Sequence, residues 1–230
     1  MTLTIENVAS YLGQPIYDIY GRKVGILVSV YSDVDGTVTA LEIMTNDAIY
    51  ETIPAERFEY DSEGLKLLPE WLVNARKIEK KLDVVRKRVR ALEELYKRGE
   101  VPEHAYKELK EKLWREFEKV KADAKTLKDI LRKRSYELEN FVLHIEKAMT
   151  HLMVSYTAGE IPEQGFKNSM DMLRYAKQAA QAEKKAVEEH ISLISKLERE
   201  ALAAVSTGEE EVKAPTSSTS PITVKVVNSG

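Results

Sequence analysis

Eight basic side chains fall within fifteen residues: Arg76, Lys77, Lys80, Lys81, Arg86, Lys87, Arg88 and Arg90, opposed only by Glu79 and Asp83, a local net of +6. Cations at this density can hold phosphate, on a nucleic acid or on an acidic lipid surface. The same run can also form the solvated face of a coiled coil laced with i,i+4 pairs. A second candidate is Pro221-Ile222-Thr223-Val224-Lys225-Val226-Val227, where Ile222, Val224 and Val226 alternate with Thr223 and Lys225. That is the period of a β-strand, and an isolated strand cannot fold alone. Its natural use is β-augmentation, addition to another protein's sheet edge. The competing reading is a frayed end, or a strand that returns to the chain's own barrel.

Catalytic chemistry finds no comparable constellation. The chain has no cysteine, which excludes thiol nucleophiles, thiolate metal sites and a disulfide framework. His104, His144, His151 and His190 are scattered; His144 and His151 stand seven apart on one helix face, a spacing that flanks a core more often than it binds metal. Asp33 and Asp35 read as turn chemistry. No nucleophile, base and oxyanion donor come together. The expectation is a protein that is not an enzyme, with no cofactor and no metal.

The elements that must carry these candidates are set by where charge and helix breakers fall. The formal net charge of −3 is a sum of unlike parts. Residues 1–69 carry 4 basic and 11 acidic side chains, residues 70–206 carry 29 and 24, and residues 207–230 carry 2 and 3. Five of the ten glycines precede residue 70, whereas residues 70–206 hold only Gly99, Gly159 and Gly165, with Pro102 and Pro162. A segment so poor in breakers must be mostly helix. No apolar run approaches the roughly 20 residues needed to span a bilayer, and the N-terminus has no signal-type stretch. This pattern predicts a soluble, cytoplasmic protein.

Residues 14–68 read as short antiparallel strands. Val24, Ile26, Val28 and Val30 alternate with Gly25, Leu27, Ser29 and Tyr31, Asp33-Val34-Asp35-Gly36 makes a hairpin turn, and further strands run Thr37–Met44, Ile49–Pro54, Glu56–Tyr60 and Gly64–Leu68. So many short strands predict a small barrel. The run Tyr11-Leu12-Gly13-Gln14-Pro15-Ile16-Tyr17-Asp18-Ile19-Tyr20-Gly21-Arg22-Lys23-Val24-Gly25, followed by the D-x-D-G hairpin, resembles the PRC-barrel domain over residues 8–68. Such barrels are interaction and assembly modules. The acidic residues read as solvated barrel surface.

The helical part carries three apolar seams. The first, Ala75, Ile78, Leu82, Val85, Val89, Leu92 and Tyr96, repeats 3-4-3-4-3-4, a coiled-coil heptad. The second runs from Tyr106 through Leu109, Leu113, Phe117 and onward to Tyr156, and slips in phase at Arg134-Ser135. The third uses Phe166, Met170, Leu173, Ala180, Val187, Ile191, Ile194, Ala201 and Val205. Two breaks are copies of each other: Tyr96-Lys97-Arg98-Gly99-Glu100-Val101-Pro102-Glu103 recurs as Tyr156-Thr157-Ala158-Gly159-Glu160-Ile161-Pro162-Glu163. Glycine supplies the left-handed cap, proline opens the next helix at its first position, and Val101 or Ile161 staples onto Ala105 or Phe166. Helices over about 70–98, 102–157 and 162–206 follow, with both outer helices folding back along the middle one.

Residues 207–220 are mostly Gly, Glu, Pro, Ser and Thr, which reads as a flexible linker. The fold class expected is multidomain β plus α: a PRC-like β-barrel (1–68), a long antiparallel helical coiled-coil rod (69–206) and a disordered tail ending in a strand peptide (221–228). These three parts, with the hairpin sequence and the Ser220-Pro221-Ile222-Thr223-Val224-Lys225-Val226-Val227 terminus, resemble the archaeal CdvA cell division family. The resemblance implies a non-enzymatic scaffold beneath the membrane at mid-cell that self-associates into dimers and filaments and meets membrane and DNA. It also implies recruitment of the ESCRT-III-like partner CdvB, whose winged-helix domain takes Pro221 to Val227 as an added strand. An alternative is a DNA-associated, chromosome-organising filament protein without sequence-specific reading. Assignment of the basic strip to phosphate rests on the residues alone.

Overall fold

The computed structural model describes residues 3–46 and 49–206, so the linker and the strand peptide lie outside the described residues. A short helix α1 (Ile5–Val8) and a 3-10 turn lead into β1 (Pro15–Asp18), β2 (Lys23–Ser32), β3 (Val38–Asn46), β4 (Ile49–Pro54), β5 (Phe58–Asp61) and β6 (Gly64–Leu67). Three long helices follow: α2 (Glu70–Lys97), α3 (Glu103–Thr157) and α4 (Glu163–Ser206).

The strands form one curled sheet in the order β4-β3-β2-β1-β6-β5. All pairs are antiparallel except β1 with β6, which run parallel. The uniformly antiparallel barrel expected from the strand pattern is therefore corrected. A parallel pair needs a crossover, and here β2 to β5 supply it, wrapping the sheet around Leu3, Val8, Ile16, Leu27, Leu41, Ile43, Ile53 and Phe58. In β2 the inward residue is Leu27, while Val28 is exposed. A register shift between Leu27 and Ser29 resets the alternation so that Val30 packs on the core again. Gly25 has a steric reason: a Cβ there would stand 2.4 Å from the Met44 carbonyl oxygen.

Sheet and helices share a junction with no slack. Leu68 N donates to the Arg57 carbonyl at 2.7 Å, and Leu72 N donates to Pro69 one turn into α2. Leu68, Trp71, Leu72 and Val73 are all buried in the rod's core.

The seams are the rod's interior. Ala75, Ile78, Leu82, Val85, Val89 and Leu92 of α2 meet Leu113, Phe117, Val120, Ala124, Leu127 and Leu131 of α3 and Val187, Ile194, Ala201 and Val205 of α4. The outer helices both run against α3 and therefore parallel to each other, as the pairs Trp71–Glu183 and Arg86–Glu200 show. They overlap, so the rod is three helices thick along α2. Beyond the barrel, α3 and α4 continue as a two-helix hairpin. At 1.5 Å per residue, α3 is about 82 Å long. Leu109, expected in the second seam, is half exposed.

Both helix breaks have the same bonding. Gly99 (φ 71°) and Gly159 (φ 76°) are left-handed. Gly99 N bonds to Tyr96 O and Glu100 N to Leu95 O; Gly159 N bonds to Tyr156 O and Glu160 N to Ser155 O. This double bond pattern is the Schellman cap. Pro102 precedes the helix as its N-cap (φ −68°, ψ 150°) and does not take the first helical position, because extended ψ is what turns the chain back. A ring pair also closes each break: Tyr106 stacks on Tyr96 at 4.0 Å, as Phe166 stacks on Tyr156 at 4.2 Å.

Candidate interaction surfaces

The basic residues of α2 sit opposite its buried seam. At 100° per residue, Arg76, Lys80 and Lys87 point most directly outward, Lys77, Lys81 and Arg88 flank them toward α3, and Arg90 flanks them toward the end of α4. All seven are exposed. The strip spans about 21 Å from residue 76 to 90. Several members have partners within the chain: Arg76–Glu59 (3.7 Å) and Lys77–Glu56 (2.8 Å) reach the barrel, while Lys81–Asp123 (3.9 Å) and Arg88–Glu116 (3.8 Å) reach α3. Exposed pairs of this kind contribute little and yield readily to a phosphate. Among the described residues, Lys80 and Arg90 have no ion pair. Arg86 stands apart from the other seven. Its guanidinium turns to Glu200 of α4 and to Asp83 at 2.5 Å, and it clamps the helices together.

The sharpest electrostatic feature was not in the sequence reading. Glu183 of α4 is 1 % exposed, in the core beside Ala180 and Val187. Arg134 of α3 forks onto it, Nε to Oε1 at 2.8 Å and Nη2 to Oε2 at 3.0 Å. Arg22 of the barrel reaches Oε2 at 2.7 Å, and Trp71 of α2 donates its indole N–H to Oε1 at 3.1 Å. One carboxylate thus joins all three long helices and the sheet. Burial alone would push its carboxyl up, but the hydrogen bonds and charges of Arg134 and Arg22 outweigh this and hold it below the usual range.

The barrel presents Arg22 through the Tyr17-to-Arg22 turn. Asp18 Oδ1 accepts from Tyr20 N and Arg22 N, both at 2.9 Å, and its Oδ2 takes the Arg22 guanidinium at 2.7 Å. Asp18 is buried, so the reading of the barrel's acidic residues as solvated surface fails at this position. Gly21 (φ 81°) completes the turn, its carbonyl accepting from Tyr175 Oη of α4 at 2.5 Å. The phase slip at Arg134-Ser135 has the same cause: Arg134 leaves the seam for Glu183, and Ser135 donates to Glu188. A signal existed in the third seam, since Glu183 occupies the heptad position between Ala180 and Val187.

His144 and His151 are exposed on α3. His190 packs edge-on to Trp71, with Nδ1 2.5 Å from Glu79 Oε1. Among the described residues, no three of His, Cys, Asp or Glu converge to hold a metal ion. Asp33 and Asp35 build the hairpin, Asp35 Oδ1 accepting from Thr37 N at 2.9 Å. Among the described residues, no helix is long and apolar enough to cross a membrane.

Comparison with known proteins places this architecture. The CdvA-like coiled-coil domain model matches residues 70–218, from the start of α2 past the end of α4. Cell division protein A of Sulfolobus acidocaldarius is 32% identical over 237 residues, spanning 99% of each chain. No solved structure matches. Barrel, rod and tail are thus matched together over the length of both chains, and the chain belongs to the CdvA family.

Proposed function

We propose that the protein is a scaffold of archaeal ESCRT-type cell division: barrel and rod assemble into filaments, α2 meets phosphate on membrane or DNA, and the tail recruits CdvB. The observation that carries this reading is the match across 99% of both chains to a protein named for cell division, which covers the barrel, the rod and the terminal strand together.

Each part has support in its own chemistry. The two-helix stretch beyond the barrel leaves Phe141, Leu143, Val154 and Met172 exposed, apolar surface that self-association would cover. Arg76, Lys80 and Lys87, flanked by Arg90, form an outward cationic line on a rigid helix that meets phosphate without reading bases. Pro221 to Val227 supply main-chain hydrogen bonds and an alternating apolar face for the edge of a winged-helix sheet. Many tails on one filament give avidity, so a modest single-site affinity suffices.

Calorimetry of the full chain with the CdvB winged-helix domain tests the recruiting step. Val224→Asp with Val226→Asp is expected to weaken binding at least 100-fold with the α-helical circular dichroism unchanged. Undiminished binding by that variant removes the strand-addition reading.

A further inference from the structure

The sheet is open, and its two edges differ. β5 borders a cleft whose other wall is formed by Leu3, Asn7 and Val38. On β4, among the described residues, only the β3 side is paired with a strand, and residues 49–52 are exposed. Ile49 and Tyr50 on this edge are 54 % and 56 % exposed. An uncovered edge strand of this kind is a template for another strand.

Register shows what strand would fit. Pro15 pairs with Ile26, Ile26 with Met44, and Met44 with Tyr50. On β3 and β4 the alternate residues Ile43 and Ile53 are buried, so Met44 and Tyr50 face outward. These four residues therefore form an apolar band across the outer face that ends abruptly at the β4 edge. Glu51, opposite the buried Ile43, points to the other face and is exposed at the rim. A strand that continued this edge would need an apolar side chain beside Tyr50 and a cation beside Glu51, and at the next outward position it meets Thr52, whose hydroxyl is already bonded to Glu42.

Residues 222–226, Ile-Thr-Val-Lys-Val, have that pattern. We propose that the chain's own C-terminal strand docks on the β4 edge, antiparallel, placing Val226 beside Tyr50, Lys225 beside Glu51 and Val224 beside Thr52. The band is then extended outward, and the Lys225 ammonium meets the Glu51 carboxylate. Reach allows it within one chain. The end of α4, at Ala203 and Ala204, lies beside Arg90 and Glu93 of α2, about 35 Å along α2 from the barrel. The fifteen residues 207–221 extend to about 50 Å.

This inference rests on the reading of residues 221–227 as an augmenting strand and adds its regulation. A strand paired with β4 cannot simultaneously pair with a partner's sheet, so the free protein shields its recruiting peptide. The barrel edge then competes with the recruited partner for one segment.

Amide hydrogen exchange on the full chain tests it, comparing wild type with Val224→Asp/Val226→Asp, Glu51→Lys and the charge swap Glu51→Lys/Lys225→Glu over a tenfold range of protein concentration. The first two variants are expected to exchange residues 49–53 at least tenfold faster than wild type, with residues 26–30 of β2 unchanged. The charge swap restores most of the protection. Equal exchange of residues 49–53 in all four proteins overturns the proposal. Protection that rises with concentration also overturns it, because a second copy then covers the edge. Calorimetry with the partner domain reports separately on recruitment, so loss of one reading is not mistaken for loss of the other.

Discussion

Burying a carboxylate away from water costs several kcal/mol, and Glu183 meets that cost with two guanidiniums and an indole N–H. Its three partners come from different elements, so the charge is satisfied only when barrel, α2 and α3 are all in place. Nearby, the Tyr20 hydroxyl is buried with no partner among the described residues, and burial followed by the Glu183 charge pushes it far above the usual phenol range. Glu183→Gln leaves Arg22 and Arg134 facing a neutral amide and should cost about 3 kcal/mol in chemical denaturation at pH 7. The pH dependence has a definite sign. Because the folded carboxyl is held below its unfolded value near 4.5, its contribution is present above that pH and is lost as pH falls through the lower folded value. Wild type should therefore lose stability more steeply than Glu183→Gln below about pH 4.5, and parallel curves would contradict this. Such a node is hard to read from sequence. Its members are separated by up to 161 positions, from Arg22 to Glu183, and nothing local marks Arg22 as the barrel cation that reaches Glu183.

At the scale of elements, the helices were legible because heptad spacing and breaker scarcity are local and periodic. Ala75, Leu82, Val89, Leu131, Val187 and Ile194 are interior as their spacing implies. The repeated hairpins were legible for the same reason, and their shared bonding makes a matched prediction. Gly99→Ala and Gly159→Ala each place a Cβ in left-handed backbone with open space around it, so each should cost about 1–2 kcal/mol from conformation alone. Unequal costs beyond experimental error would show that the two hairpins are not physical copies. The strands were less legible: the bulge after Leu27 shifts the alternation, and the parallel β1–β6 pairing depends on contacts distant in sequence. For the basic strip, structure narrows the choice of residues. Lys80→Gln/Lys87→Gln/Arg90→Gln leaves Arg86 and Glu200 in place and should reduce the slope of log binding constant against log salt for duplex DNA by about 3. An unchanged slope would place the DNA contact elsewhere.

Across the whole molecule, opposite charges lie where they are used. The acidic barrel meets the basic start of α2 through Glu56 and Glu59, and Arg22 fastens the barrel to the side of the rod. The outward half of the strip stays available along a helix stiffened by two neighbours. Past the barrel the rod thins to two helices and exposes Phe141, Leu143, Val154 and Met172. The division into a strand region and a helical rod was plain from composition, but the lateral docking of the barrel was not, because it depends on the Glu183 node. The account's central claim is that this rigid unit assembles while its tail recruits. Electron microscopy of the purified full chain, alone and with DNA or acidic liposomes, tests it most directly. The account predicts filaments that persist in the Val224→Asp/Val226→Asp variant; single particles under all of these conditions would contradict it.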